Sequence, residues 1–383
     1  MYFVEKTKGT DYFRQFDYPL FAAILILSFI GIAVLKSAIG DPGITNTLLK
    51  QILCLAAGIV AAIVISAIDY KDFKTLGIIL YIVSIALLVL VLLVGETRNG
   101  SKSWLVIPVT GSFQPSEVAK VAFSVVVPVF LERLNEGQKT VKNIIKLLIY
   151  AMLPIGLVLL QKDLGTSLVF IAAFVVLLFV YGIPYKYFFI ALGVFAAVVP
   201  VLWFFVIPEG SHIRNRILTF IFPEMDLQGS GLQVYRSKMT IGSGQIFGKG
   251  LFHGLQTQNS SAVSNYVPEK QTDFIFSVIG EEMGFVGSML VIAIIFFILL
   301  RCIYIAYKSR DAYGSYMVIC ITSMLGFHFI ENIGMCVGVL PVTGIPLPFV
   351  SQGGSSLFAN YMNAGILLSV SMRRKRTIFN SSQ

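Results

Sequence analysis

Runs of roughly twenty apolar residues, each about long enough to cross a 30 Å hydrocarbon core, recur along the chain and leave little room for any solvent but a bilayer. Ten can be marked, at 18–39, 48–68, 76–95, 115–134, 143–161, 164–182, 186–207, 273–306, 314–335 and 355–371. Of the 383 residues 56% are hydrophobic and 13% charged, where soluble domains carry roughly 25% charge. The 31 Phe and 16 Tyr exclude a disordered chain, which could not bury apolar surface. The pattern predicts an all-α polytopic membrane protein. Its residues 1–383 form one integral membrane domain of ten transmembrane helices, with a long ordered outer loop, 208–272, between the seventh and the eighth.

Lys and Arg concentrate in short loops on the cytoplasmic side of a membrane protein. An even number of spans puts both termini on one side, together with Lys6, Lys8, Arg14, Lys71, Lys74, Arg133, Lys139, Lys142, Lys146, Lys186, Arg301, Lys308, Arg310, Arg373, Arg374, Lys375 and Arg376. Both termini are therefore expected in the cytoplasm and segment 208–272 outside. The net charge of +9 is spread over these loops instead of lining one surface, so nucleic acid is not an expected partner. The first run starts after Asp17 and lacks a small-residue cleavage site, which predicts a retained N-terminus. Cys54, Cys302, Cys320 and Cys336 lie in or beside apolar runs without C-x-x-C spacing and read as small buried hydrophobes.

Ionisable groups at membrane depth are costly and mark functional candidates. Glu117 and Lys120 stand three apart on one helix face and can neutralise each other, as a structural ion pair or at the substrate. Asp163, in the tight connection before the run at 164, suits a helix N-cap as well as a site. Asp273 closes the outer loop and heads a small, polar stripe with Ser277, Gly280, Glu281 and Gly284, which should face packed neighbours or a cavity. Thr272 as N-cap with Asp273 in the first turn is the structural alternative. A helix over 273–306 would be about 51 Å long and must tilt, project or break near its glycines.

The glycine cluster Gly242-Ser243-Gly244-Gln245-Ile246-Phe247-Gly248-Lys249-Gly250 fails both the Walker A and the dinucleotide spacings. With Arg236, Lys238 and Lys249 it suits a phosphate-bearing lipid headgroup or an anionic lipid surface. His212, His253 and His328 lack metal-ligand spacing. Segment 338–356 is apolar but full of Pro and Gly, so it should fold back inside the bundle, lining a cavity or serving as a buried connector.

These segments together resemble the SEDS family (shape, elongation, division and sporulation), membrane peptidoglycan glycosyltransferases of the RodA and FtsW type. The likeness rests on Trp104 with Gln114-Pro115-Ser116-Glu117 and Lys120, on Asp163-Leu164-Gly165-Thr166, on Arg216-Ile217 through Phe222-Pro223 to Asp226, and on the glycine cluster. It continues through Val267-Pro268-Glu269, Thr272-Asp273-Phe274-Ile275-Phe276, Gly280-Glu281-Glu282, Leu340 to Phe349, and Gly353-Gly354-Ser355-Ser356. Lys162 stands where the family usually has Pro, Gln352 where Tyr is usual, and Ser103 where Arg often precedes the Trp.

The resemblance implies polymerisation of lipid II into glycan strands on the outer face of the bacterial cytoplasmic membrane. A RodA-like role in elongation is favoured over division or sporulation. It implies that Asp273 matches the family's catalytic aspartate. The substrate-binding candidates are Asp163, Arg216, Arg236, Lys238, Lys249, Lys270, Glu281 and Ser355, with the basic members, and Arg214, near enough in sequence to meet a departing pyrophosphate. No cofactor is called for with certainty; a divalent cation, Mg or Mn, would serve the same charge. The implied partner is a class B penicillin-binding protein, because the chain has no Ser-x-x-Lys transpeptidase nucleophile of its own. A lipid-linked precursor flippase or transporter is the rival reading, since broken helices and intramembrane charge also serve transport. A scaffold that recruits a transpeptidase is a third.

Overall fold

The computed structural model describes residues 15–39, 45–98, 100–107, 111–201, 203, 205, 212–222, 229–254 and 267–374. Lys6, Lys8, Arg14, Lys375 and Arg376, expected on the inner face, and Pro223 and Asp226 of the long loop lie outside the described residues.

Helices dominate: α1 (Tyr18–Ile39), α2 (Thr45–Ala67), α3 (Phe73–Val94), α4 (Pro115–Asn135), α5 (Val141–Leu160), α6 (Leu164–Tyr181) and α7 (Tyr185–Val201) precede the long segment. Within that segment lie α8 (His212–Ile221) and α9 (Ser230–Ser243), followed by α10 (Ile275–Tyr307), α11 (Ala312–Cys336) and α12 (Gly354–Met372). Within the described residues each of the ten apolar runs overlaps a helix, the seventh as far as Val201. Seven of these helices are both long and apolar enough to cross a membrane: α1, α2, α3, α5, α6, α10 and α11. α4 carries Glu117, Lys120, Glu132 and Arg133, all but the last buried. A helix so enclosed by α3, α5, α11 and α12 need not be apolar on every face.

The all-α expectation needs one correction. Between α3 and α4 the chain forms a small antiparallel sheet in the order β1 (Glu96–Arg98), β2 (Ser101–Ile107), β3 (Gly111–Phe113). Its local signal is Asn99-Gly100, the dipeptide that favours a tight hairpin, and Gly100 has φ +84°.

Buried apolar side chains form two clusters. One joins α1, α10, α11 and α12, including Leu27, Ile298, Ile321 and Leu367. The other joins α3, α4, α5 and α6 around Phe123, Ile155 and Phe170.

Of the three outcomes its length allowed, α10 takes the break, at Gly284 (φ 66°, ψ −163°). A break leaves carbonyls orphaned on one side and amides on the other, and at membrane depth protein must satisfy them. The glycine cluster does so. Lys249 N and Gly250 N donate to Glu281 O and Glu282 O, while Phe285 N and Val286 N donate to Gln245 O and Ile246 O, all at 2.8–3.0 Å. Only side chains without a Cβ allow this approach. A Cβ on Gly244 would stand 1.9 Å from Gly280 O, and one on Gly248 2.2 Å from Glu282 O.

Gly244→Ala is therefore expected to lower stability by at least about 1–3 kcal/mol, the usual cost of overpacking. Gly242→Ala, with nothing within 4 Å of its new Cβ, should be neutral or slightly stabilising in its helix. Thermal denaturation of the two purified variants checks the contrast, and equal melting temperatures would count against the capping role.

Candidate functional site

Three segments converge on Asp273: the turn 267–274, the N-terminus of α6, and the broken stretch 338–353. The last folds back as expected, with Ile345, Leu347, Phe349 and Val350 buried. Gly31 lets it in, since a Cβ there would stand 2.6 Å from Val350 Cα. Its backbone is tied to the turn: Ser351 Oγ donates to Thr272 O at 2.6 Å and Gln352 N to Gln271 O at 2.9 Å. Gln51 of α2 holds the same stretch from outside, donating to Ser351 O at 3.1 Å and accepting from Gly353 N at 3.2 Å.

Asn332 is the pin between these parts. Its Nδ2 donates at 2.8 Å both to Asp273 O and to Ile345 O, locking the aspartate's backbone to α11 and to the broken stretch. Sequence reasoning passed over Asn332 and Gln51. Asn332 was findable: Glu331-Asn332 is a polar pair inside an apolar run, where polar groups are expensive.

Asp273 is not in the first turn of α10. The helix begins at Ile275, with Phe274 as its cap residue and no side-chain cap, which corrects the expectation of Thr272 as N-cap. Thr272 Oγ1 instead donates to Glu269 Oε2 at 3.0 Å. Burial dominates the half-buried carboxyl and pushes its pKa up to about 7. The charge of Glu269 adds to the rise, Arg216 opposes it, and Asp163 adds a little more. Gly344 closes over the group, its absent Cβ lying 3.3 Å from Asp273 Oδ2.

Arg216, on α8, is held beside this carboxyl by donating from Nη1 to Thr343 O at 3.1 Å. Asp163 is a helix cap by geometry. It accepts from Thr166 N at 3.0 Å and Thr166 Oγ1 at 2.9 Å, and from Gln114 Nε2 at 3.1 Å. Gly165, next in the same turn, allows contact with Ile345. Lys162 takes φ +60°, a conformation closed to proline, so this chain's departure there comes with a turn that a proline could not form.

A second group lies behind the turn. Lys249 Nζ donates to the fully buried Glu281 Oε1 at 2.7 Å and to Ser243 Oγ at 2.9 Å. Lys270, 1% exposed, has its pKa lowered to about 8 by burial, against the upward pull of Glu281 and Glu282. Glu282 in turn accepts from Ser37 Oγ of α1. Of the substrate-binding candidates, Asp163 and Arg216 thus surround Asp273, while Lys249, Lys270 and Glu281 form an ionic cluster that joins the turn to the break in α10. Arg236 and Lys238 lie on α9, which is fixed to α11 through Ser237 Oγ to Cys336 O at 2.8 Å. Lys238 is exposed beside Gly338. Ser355 is half-buried in the first turn of α12.

Glu117 and Lys120 are paired at 3.0 Å and are 3% and 4% exposed. A third member was not foreseen. His328 of α11 donates from Nδ1 to Met324 O at 2.7 Å, which leaves Nε2 to accept from Lys120 Nζ at 2.9 Å.

Residues 17–376 match the family described as "Cell cycle protein", that of FtsW, RodA and SpoVE. The chain belongs to this family. It is 35% identical over 360 residues to the peptidoglycan glycosyltransferase MrdB of Escherichia coli K12, covering 94% of each chain. It is 36% identical over 329 residues to the stage V sporulation protein E of Bacillus subtilis, covering 84% of this chain and 86% of the relative. Among solved structures, one described as a peptidoglycan synthase complex that coordinates polymerization and crosslinking matches with TM-score 0.78, 30% identity, and coverage of 93% and 97%. The rod shape determining protein RodA of Thermus thermophilus matches with TM-score 0.68 and 27% identity, covering 94% of this chain and 98% of that one. With seven apolar helices of spanning length, this member of the family is a multi-pass membrane protein.

Proposed function

We propose that the chain is a peptidoglycan glycosyltransferase that polymerises lipid II on the outer face of the cytoplasmic membrane, with Asp273 as its general base. The observation that carries this reading is a desolvated carboxyl with its pKa near 7 beside Arg216, set in a turn that three segments brace. A base is most effective when its pKa is close to the working pH. Asp273 takes the proton from the acceptor sugar hydroxyl as its oxygen bonds to the donor's anomeric carbon. The bond from that carbon to the pyrophosphate breaks and its electron pair leaves with the phosphate. Arg216, oriented by Thr343, offers a cationic donor beside Asp273 to the charge that develops.

Among the described residues no three His, Cys, Asp or Glu side chains come together as a metal site. A magnesium ion shared with substrate phosphates needs only one or two carboxylates; Glu269, whose charge acts on Asp273, is the carboxylate that would hold it while Asp273 stays free to take the proton, and there it would neutralise charge on the leaving pyrophosphate.

The ten helices that coincide with apolar runs are read as ten crossings of a single membrane domain, 1–383, with both termini cytoplasmic and 208–272 outside. The basic inter-helix loops and the buried pairing of Asp17 with Arg301 and Arg374 at one end support that orientation. An elongation role is favoured by the likeness to MrdB and RodA, and a class B penicillin-binding protein as partner by the likeness to a synthase complex.

Purified chain mixed with lipid II should yield a ladder of glycan products on a gel, with more product when the transpeptidase is co-purified. Vesicles in which labelled lipid II crosses the bilayer with no polymer formed would favour a flippase instead.

A further inference from the structure

The loop that caps the broken α10 presents an apolar face used by neither the site nor the core. Ile246 is 59% exposed and Phe247 81%. The depth of this face follows from α1 and α10, which run antiparallel. Arg301 Nε donates to Asp17 Oδ1 at 2.9 Å at one end, and Ser37 Oγ meets Glu282 at the other. Twenty residues separate Asp17 from Ser37, about 30 Å at 1.5 Å per residue, the thickness of a hydrocarbon core. Glu282 therefore marks the membrane surface opposite Asp17.

Gln245 and Ile246 accept from Phe285 N and Val286 N at 2.8 and 3.0 Å, three and four residues further into the span. Their backbone thus lies at or just below that surface. Phe285 and Val286 are themselves 64% and 51% exposed on α10, so the loop's apolar tip continues the lipid-facing side of the helix. Lys36, near the same end of α1, places its ammonium 5.5 Å over the ring of Phe252. An amine with an apolar stem at that height suits the phosphate level of a bilayer.

We propose that residues 244–252 are an interfacial anchor that seats Ile246 and Phe247 among the upper acyl chains of the leaflet on the Asp273 side. The loop enters the bilayer without crossing it, and its backbone can do so because the glycines give its amides and carbonyls partners on α10. The proposed occupant of this face is lipid, since among the described residues Ile246 and Phe247 stay largely exposed.

The test places a tryptophan at the tip. Phe247→Trp is made in a chain carrying Trp104→Phe and Trp203→Phe and reconstituted in phosphatidylcholine–phosphatidylglycerol vesicles. The lipids carry bromine near the glycerol end of the acyl chain, near its methyl end, or not at all. The expected result is blue-shifted emission, lost most strongly to bromine near the glycerol end and little affected by aqueous iodide. Red-shifted emission quenched by iodide would overturn the proposal by placing the tip in water. Blue-shifted emission untouched by any bromolipid would overturn it by placing the tip under protein. If the double background fails to fold, the same lipids are read as the difference between Phe247→Trp in the otherwise native chain and the parent.

Discussion

Asp273→Asn should lower glycan synthesis by about 10²-fold or more while leaving the protein folded and able to bind lipid II, because the amide cannot accept the proton. The backbone contact from Asn332 and the bracing of the turn by Ser351 do not involve the carboxyl, so the variant keeps its architecture. Stability should move the other way from activity. Burial raises this carboxyl's pKa from 3.8 to about 7, so the folded state holds the proton more tightly than the unfolded chain. The group's contribution to stability is accordingly most favourable below the unfolded value and is lost as pH rises toward 7. At pH 8 the neutral amide should melt slightly higher than the aspartate, and at pH 4 the two should coincide. For the wild type, polymerisation should climb as pH passes through about 7, when the base form fills. Glycan gels across this range, with denaturation curves beside them, check both halves. An Asp273→Asn protein that polymerises at near wild-type rate would falsify the assignment and direct attention to Asp163 or Glu281.

The second large effect is expected at the buried cluster of α4 and α11. Lys120 stands between Glu117 Oε1 at 3.0 Å and His328 Nε2 at 2.9 Å. Removing one member of a buried ion pair leaves the other charge without compensation, at a cost of about 3–5 kcal/mol. Glu117→Ala and Lys120→Ala should each lose this much, while the double substitution should lose far less than their sum. His328→Ala removes a neutral acceptor from a charged donor, and about 1.5–3 kcal/mol is the expected loss. Equilibrium denaturation of the single and double variants in detergent supplies the cycle. Additive losses for Glu117 and Lys120 would show that they do not act as one unit.

How much of this was legible beforehand differs by element. The helical runs were readable because lipid demands about twenty apolar residues per crossing, a requirement local to each segment. The length of the run at α10 left tilt, projection or a break near its glycines as alternatives, and only the fold chose the break. The pairing of Glu117 with Lys120 followed from three-residue spacing. The sheet at 96–113 escaped because its strands are short and only Asn99-Gly100 announces them.

The glycine cluster shows where local reading stops. Its composition suggested a loop around a phosphate, yet Gly244 and Gly248 lie within van der Waals reach of the α10 backbone, a role set by a partner more than thirty residues away in sequence. His328 and Asn332 belong to the same class: their partners Lys120 and Asp273 are 208 and 59 residues distant. The sequence by itself determined a membrane-embedded helical chain of this family and singled out Asp273. The tertiary structure alone decided that this aspartate stands ahead of its helix, and that burial is the largest influence on its proton affinity. It also decided that Lys249 is paired with Glu281. Periodicity is written in near neighbours, whereas desolvation and charge pairing depend on which distant segments the fold brings against a side chain.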